Sequence, residues 1–250
     1  MKTIQTFFLV SCFLVVLSCN NDDDATPQDA YPTQLTLTDY TNAVNNKTVT
    51  LTYNNDNTIA SITIEDNQGL KTKQYAYTNG KITSVANSGF LSGPEVRTFV
   101  YNTAGKLSSI IDDASGTTET FPISYDSSTN TYTLTDGGDS NTVVLDASNN
   151  PTVYSNTFVA SDLILTLDSN NSGVFKNVRP QIALQFDLGL YTGHLFYFFN
   201  QKQINHFQFG VQDFDFVHTR DSENNITTVV YNFSGGGSQL DVTYEKRNRY

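Results

Sequence analysis

Tyr53, Tyr77, Tyr101 and Tyr125 stand 24 residues apart. This period constrains the fold more than any other feature of the chain, because repetition at fixed spacing means one supersecondary unit used several times. Each tyrosine closes a run in which large or long side chains alternate with small or polar ones: Val49-Leu51-Tyr53, Lys73-Tyr75-Tyr77, Arg97-Phe99-Tyr101 and Phe121-Ile123-Tyr125. Alternation with period two is the pattern of a strand with one buried face. Turn chemistry follows each tyrosine: Asn54 to Asn57, Thr78-Asn79-Gly80, Asn102 to Gly105, and Asp126 to Asn130. A second short run comes next, such as Ile59-Ile62-Ile64 or Ile82-Val85. Asn-Gly pairs supply the positive φ that a tight hairpin needs, so a unit of 24 residues predicts two strands and two turns.

Repeated units of this kind predict an all-β chain, an antiparallel meander of hairpin repeats that forms a curled or barrel-like sheet. Residues 24 apart then sit at similar height on every second strand, which lines up the four tyrosines. As ligand-facing aromatics, Tyr53, Tyr77, Tyr101 and Tyr125 would make a platform for stacking sugars. The alternative is that their rings belong to the core and their hydroxyls to its wet edge.

The strings Tyr77-Thr78-Asn79-Gly80-Lys81-Ile82 and Tyr101-Asn102-Thr103-Ala104-Gly105-Lys106-Leu107 resemble the tyrosine-aspartate repeats of Rhs-type proteins. Together with the chain's N-terminus they are similar to lipid-anchored, β-rich Bacteroidota families of unknown function. The same flavour returns at Asp221 to Asn225, with Ile226, Val229 and Tyr231 leading to Gly235-Gly236-Gly237, then Leu240, Val242 and Tyr244. The resemblance implies a fold and an address but carries no catalytic residues. The signature aspartate after the tyrosine is present at Asp126 alone of the four copies.

At the N-terminus, Lys2 precedes an apolar run from Phe7 to Leu17 that is too short to span a bilayer, and a small residue follows it. The tetrad Val16-Leu17-Ser18-Cys19 resembles the bacterial lipobox, in which the cysteine thiol is alkylated by diacylglycerol. Residues 1–18 are therefore read as a lipoprotein signal peptide, and Cys19 as the lipidation site. Residues 19–33, with Asp22, Asp23, Asp24, Pro27 and Pro32, read as an acidic flexible tether. An acidic run behind a lipidated cysteine resembles a Bacteroidota surface-export signal. The expected location is the outer membrane, at the cell surface or the periplasmic face. Removing residues 1–18 takes away Lys2 and no acid, so the net charge of −11 becomes −12. Such a balance argues against nucleic acid as a partner. Cys12 is lost with the signal, leaving Cys19 with no disulfide partner.

Residues 34–250 read as a single β-rich domain: hairpin repeats over about 49–145, an apolar insertion over about 155–216, and a C-terminal hairpin at 217–246. Within the insertion, Ile182, Leu184, Phe186, Leu188 and Leu190 alternate, and Leu195 to Phe199 are continuously apolar. Periodicity leaves two options there, a buried strand or one short helix near 181–200 that plugs the sheet. The same aromatics read first as a core plug, since phenylalanine is mostly a core residue, with the lining of an apolar ligand pocket as the alternative.

Chemistry-bearing patterns are sparse. His194, His206 and His218 recur every 12 residues, but the side-chain alternation sets the first two on opposite faces, which argues against a metal site. Asp168 to Gly173 opens like a calcium loop, yet Arg179 stands where the bidentate glutamate is required. Asp112-Asp113 and Asp213-x-Asp215 offer the paired carboxylates of a glycosidase. No nucleophile elbow, phosphate loop or dinucleotide fingerprint occurs, so no catalytic, metal or cofactor residue is assigned. The expectation is a non-catalytic lipoprotein that meets the membrane through its lipid and binds a glycan, a protein or another partner. The alternatives are a glycan hydrolase and a carrier of an apolar ligand.

Overall fold

The computed structural model describes residues 27–90, 95–157, 161–189, 197–233 and 236–249. They form sixteen strands and one α-helix. The strands are β1 (Gln28–Asp39), β2 (Lys47–Tyr53), β3 (Ile59–Asp66), β4 (Gly69–Thr78), β5 (Lys81–Ser88), β6 (Val96–Tyr101), β7 (Leu107–Ala114) and β8 (Thr117–Asp126). They continue as β9 (Thr131–Asp136), β10 (Asp139–Leu145), β11 (Pro151–Asn156), β12 (Leu163–Ser172), β13 (Lys202–Phe209), β14 (Gln212–Arg220), β15 (Ile226–Phe233) and β16 (Gly236–Asn248), with helix α1 (Ile182–Gly189) between β12 and β13. Every strand pairs antiparallel with its neighbours in sequence, and β1 pairs with β16 from Gln28↔Asn248 to Asp39↔Ser238, which closes the sheet into a barrel. Closure removes the open edges that a sixteen-stranded sheet would otherwise present. The expected all-β meander with one short helix near 181–200 is what the chain forms.

An up-and-down meander has two rims. The near rim carries the start of β1, the end of β16 and the connections after the even-numbered strands; those after the odd-numbered strands lie at the far rim. Four near-rim turns share one conformation. In each, the first residue's N–H donates to the fifth residue's carbonyl and the fourth residue's N–H donates back to the first: Asn54 to Thr58, Asn102 to Lys106, Asp146 to Asn150 and Asp221 to Asn225. The fourth position has positive φ in all four, held by Asn57, Gly105, Asn149 and Asn224. Glycine and asparagine tolerate that region best, which is why three asparagines and one glycine stand there. A one-residue bulge accompanies each turn, for instance between Thr52 and Tyr53.

The pleat sorts side chains between lumen and solvent. Val49, Leu51, Ile62, Ile64, Ile82, Val85, Leu107 and Ile110 point inward and are at most 2 % exposed. Their neighbours Thr50, Thr52, Ser61, Thr63, Thr72 and Gln74 point outward, where the Thr52 and Ser61 hydroxyls bond across strands at 2.7 Å. The outer wall is thus mostly polar, with Val96, Ile164 and Val217 as exposed apolar exceptions, and the lumen mostly apolar. β1 starts at Gln28, so Gln28 to Thr33 of the expected tether are wall residues, with Tyr31 packed edge-on against Tyr53 at 5.4 Å.

Candidate functional site

A barrel of sixteen strands encloses more space than wall side chains fill. Here residues 173–189 and 197–201, between β12 and β13, lie in the lumen. They are held from several sides: Asn177 Nδ2 donates to the Ala30 carbonyl of β1, Gln181 Nε2 to the Gly80 carbonyl, and Gln185 Oε1 accepts from the Tyr154 hydroxyl of β11 at 2.7 Å. Contacts with such widely separated strands place this plug inside the wall. Gly173 marks the entrance, donating from its N–H to the Gln201 carbonyl at 2.7 Å. A Cβ at Gly173 would lie 2.3 Å from the Lys202 carbonyl oxygen and 2.5 Å from that of Asn200, so the two passes of chain come this close without a side chain between them.

Apolar packing accounts for most of the plug. Val174, Phe175, Val178, Ala183, Leu184, Phe186, Leu188, Tyr197, Phe198 and Phe199 are all buried. Phe175 stacks on Phe199 at 4.2 Å, Phe198 meets Phe216 edge-on at 5.7 Å, and Tyr197 lies 5.5 Å from Phe207. Buried polar groups interrupt it at Gln185, Asn200 and the charged Asp187, which is 0 % exposed in α1. Its Oδ1 accepts from Lys73 Nζ at 3.0 Å and Arg97 Nη1 at 3.4 Å, and its Oδ2 from the Tyr75 hydroxyl at 2.8 Å. Lys73 Nζ also donates to Asn87 Oδ1, while Arg97 grips Asp112 through two bonds of 2.6 Å. Two cations and two carboxylates balance, as a buried cluster must. Desolvation lowers the Lys73 pKa, opposed by Asp187, and desolvation with the Asp187 charge raises that of Tyr75 well above its usual value. The cluster fastens α1 to β4 and β6. The side chains of Lys73 and Asp187 are both sealed from solvent.

The four repeated tyrosines end β2, β4, β6 and β8 at the near rim, half-buried and packed against the core. The Tyr77 hydroxyl donates to the Ile59 carbonyl at 2.9 Å and that of Tyr101 to Ile82 at 2.8 Å, each closing onto the start of the preceding strand. Tyr53 reaches Pro32 in β1, and Tyr125 instead bonds Asn130 Oδ1. Cations cover three of the rings: Arg247 over Tyr53, Lys81 over Tyr101 and Lys106 over Tyr125, at 5.3, 5.0 and 4.1 Å. The lysine after each turn glycine thereby lies on the tyrosine of the next repeat. Beside Tyr53, Gln28, Asn55, Asn57, Lys246, Arg247 and Asn248 line a shallow cleft of about 280 Å³.

The remaining sequence candidates are dispersed. Cys19 and His194 lie outside the described residues. His206 faces solvent between Asp213 and Asp215, with Nδ1 2.9 Å from Asp215 and Nε2 3.2 Å from Asp213. His218 is half-buried near Phe216, and burial with the Arg220 charge lowers its pKa to about 4. Among the described residues no three histidine, cysteine or acidic side chains converge as metal ligands. Asp168 is occupied by the Asn170 N–H and the amides of Asn171 and Asn205, holding a bulge in β12. Asp112 is tied to Arg97, whereas the adjacent Asp113 is exposed, and Asp213 and Asp215 share one imidazole on the outer wall. Neither pair brackets a cleft. The Asp187 cluster has one sequence signal, an acid inside an apolar run, matched by Lys73 and Arg97 on the tyrosine faces of their strands.

The geometry defines a class: an up-and-down barrel of sixteen strands, sealed by its first and last strands and filled by an internal plug. No protein-family model matches the chain, and no curated protein matches it. Among solved structures it is similar to a porin-like protein from Bacteroides uniformis, with a TM-score of 0.51, 13 % identity, and coverage of 86 % of this chain and 96 % of that one. The likeness is one of fold. A strand barrel that crosses a membrane turns an apolar band outward and polar residues inward, and this wall has the opposite sorting.

Proposed function

We propose that this chain is a non-catalytic lipoprotein of the bacterial envelope, tethered to the outer membrane by lipid on Cys19, whose barrel is a water-facing body for binding a glycan, protein or other partner. The observation that carries this reading is the inverted sorting of the wall, threonine and serine outward and isoleucine and valine inward, around a plugged lumen. Such a body conducts nothing and does not insert into lipid. Its rims are where turns and unpaired side chains are available for recognition. The burial of the charged cluster, and carboxylate pairs that bracket no cleft, support a non-catalytic role.

The test is to purify residues 20–250, which lack the lipidated cysteine. This protein is expected to stay monodisperse in buffer without detergent and to produce no conductance in planar bilayers. A requirement for detergent, or discrete channel openings, overturns the reading.

A further inference from the structure

The two rims differ in surface chemistry. On the far rim, three successive turns carry large apolar side chains into solvent: Tyr40 and Val44 after β1, Leu70 after β3, and Val96 where the chain enters β6. They are 56 %, 57 %, 61 % and 41 % exposed. The turns are physically joined. Lys47↔Asp66 pairs the strands of the first two, and a Cβ at Gly89, after β5, would lie 2.1 Å from the Leu70 carbonyl oxygen. With neighbouring strands about 4.8 Å apart, successive turns lie roughly 10 Å apart and the arc runs about 20 Å. That is the scale of a protein-docking patch rather than of isolated exposed residues.

Charge on this arc has one sign. Glu65, Glu95, Asp113 and Glu119 are exposed around the apolar residues. The cations nearby are withdrawn: Lys71 is 8 % exposed and bonded to Asp66 at 2.6 Å, Lys47 is half-buried, and Lys73 and Arg97 belong to the lumen cluster. The exposed cations Arg179, Lys246 and Arg249 are all at the near rim. Apolar side chains ringed by charge of a single sign call for a partner with an apolar centre and the opposite charge around it.

We propose that the far-rim arc of Tyr40, Val44, Leu70 and Val96 is a docking face for a cationic protein surface. The inference rests on the binding-body reading above and names its partner class. β1 begins at the opposite rim, so a tether to Cys19 leaves from the end remote from this face and holds it toward the partner.

The test uses the mature protein and a helical probe peptide with a leucine stripe flanked by lysines, beside a control peptide with serine replacing leucine. Fluorescence anisotropy is expected to give the leucine peptide about tenfold tighter binding, the equivalent of burying two or so aliphatic methylenes. Val44→Ser with Leu70→Ser should erase that advantage without moving the thermal midpoint, because both side chains are already wet. Glu95→Lys with Asp113→Lys should weaken both peptides about tenfold at low salt and less at high salt. Equal binding of the two peptides, no binding of either, or binding unmoved by the far-rim variants overturns the docking face. A soluble, non-conducting barrel with no peptide binding overturns this face alone and leaves the binding-body reading standing.

Discussion

The two halves of the wall hold the same plug by different physics. From β2 to β9 the lumen face is mostly aliphatic, Val49, Leu51, Ile62, Ile64, Ile82, Val85, Leu107 and Ile110, interrupted by Lys73 and Arg97, which reach Asp187. From β11 to β15 aromatics join the aliphatics Leu163, Leu165, Ile204, Ile226 and Val229, with Phe207 stacked on Phe214 at 4.6 Å and Phe216 5.3 Å from Tyr231, against Tyr197 and Phe198 of the plug. Aromatic packing gives large, weakly directional stabilisation. Charge-assisted bonds are directional and punish a misplaced partner. The contrast teaches that the aromatic half supplies grip while the repeat half sets the plug's register.

The strongest way to break this division is Asp187→Ala, which takes the carboxylate from buried Lys73 and leaves Arg97 with Asp112 alone. It should cost about 3–5 kcal/mol by urea denaturation. Asp187→Leu combined with Lys73→Met should recover much of that loss, since Arg97 keeps Asp112; failure of the pair to recover would mean that Asp187 matters for something besides charge balance. On the aromatic side, Phe207→Ala should cost about 3–4 kcal/mol through the cavity it leaves. Its signature differs, because a small apolar compound that fills the cavity should restore stability, whereas none should rescue Asp187→Ala. At the near rim, Tyr101→Phe removes one hydroxyl bond to Ile82 and should cost about 1 kcal/mol.

The smallest effects are the pH responses of two histidines on opposite faces of the wall. His218 has a depressed pKa of about 4. The unfolded chain therefore takes up that proton first, and stability falls as pH drops from about 6.5 toward 4. His206 is shifted the other way, by its hydrogen bond to Asp215 and then by Asp213, with desolvation opposing. Its contribution is present below the unfolded pKa and fades as pH rises through the folded one. Imidazole NMR titration should show the two curves on either side of 6.5. His218→Asn should flatten the acid limb.

Much of the repeat half was legible in the sequence. Alternation gave its strands, and Asn-Gly and Asp-to-Asn stretches gave its turns, because both signals are local. The turn at Asp146 to Asn150 is harder to recognise, since no tyrosine of the 24-residue series directly precedes it. The apolar stretch was legible as a strand or a helix, but not as the filling of a lumen. Which space a segment occupies depends on the closed wall around it, and period carries no information about that. Asp187 was hidden for the same reason. Its partners are 114 and 90 residues away in sequence, brought together by strands whose own pattern reads Lys73 and Arg97 simply as long side chains.

The seam between β1 and β16 has a consequence in time. Gln28 meets Asn248, 220 residues later, so a chain emerging from a ribosome or a translocon carries an unsatisfied first strand until its last one arrives. Hairpins can form early and locally, but the barrel cannot seal, nor the plug be enclosed, until the final thirteen-residue strand is delivered. During that interval both β1 and β15 offer bare edges to any other extended chain. The sealed molecule has lost that hazard, so its vulnerability belongs to its biogenesis, and loss of the final strand should make a protein that aggregates rather than one that is merely less stable.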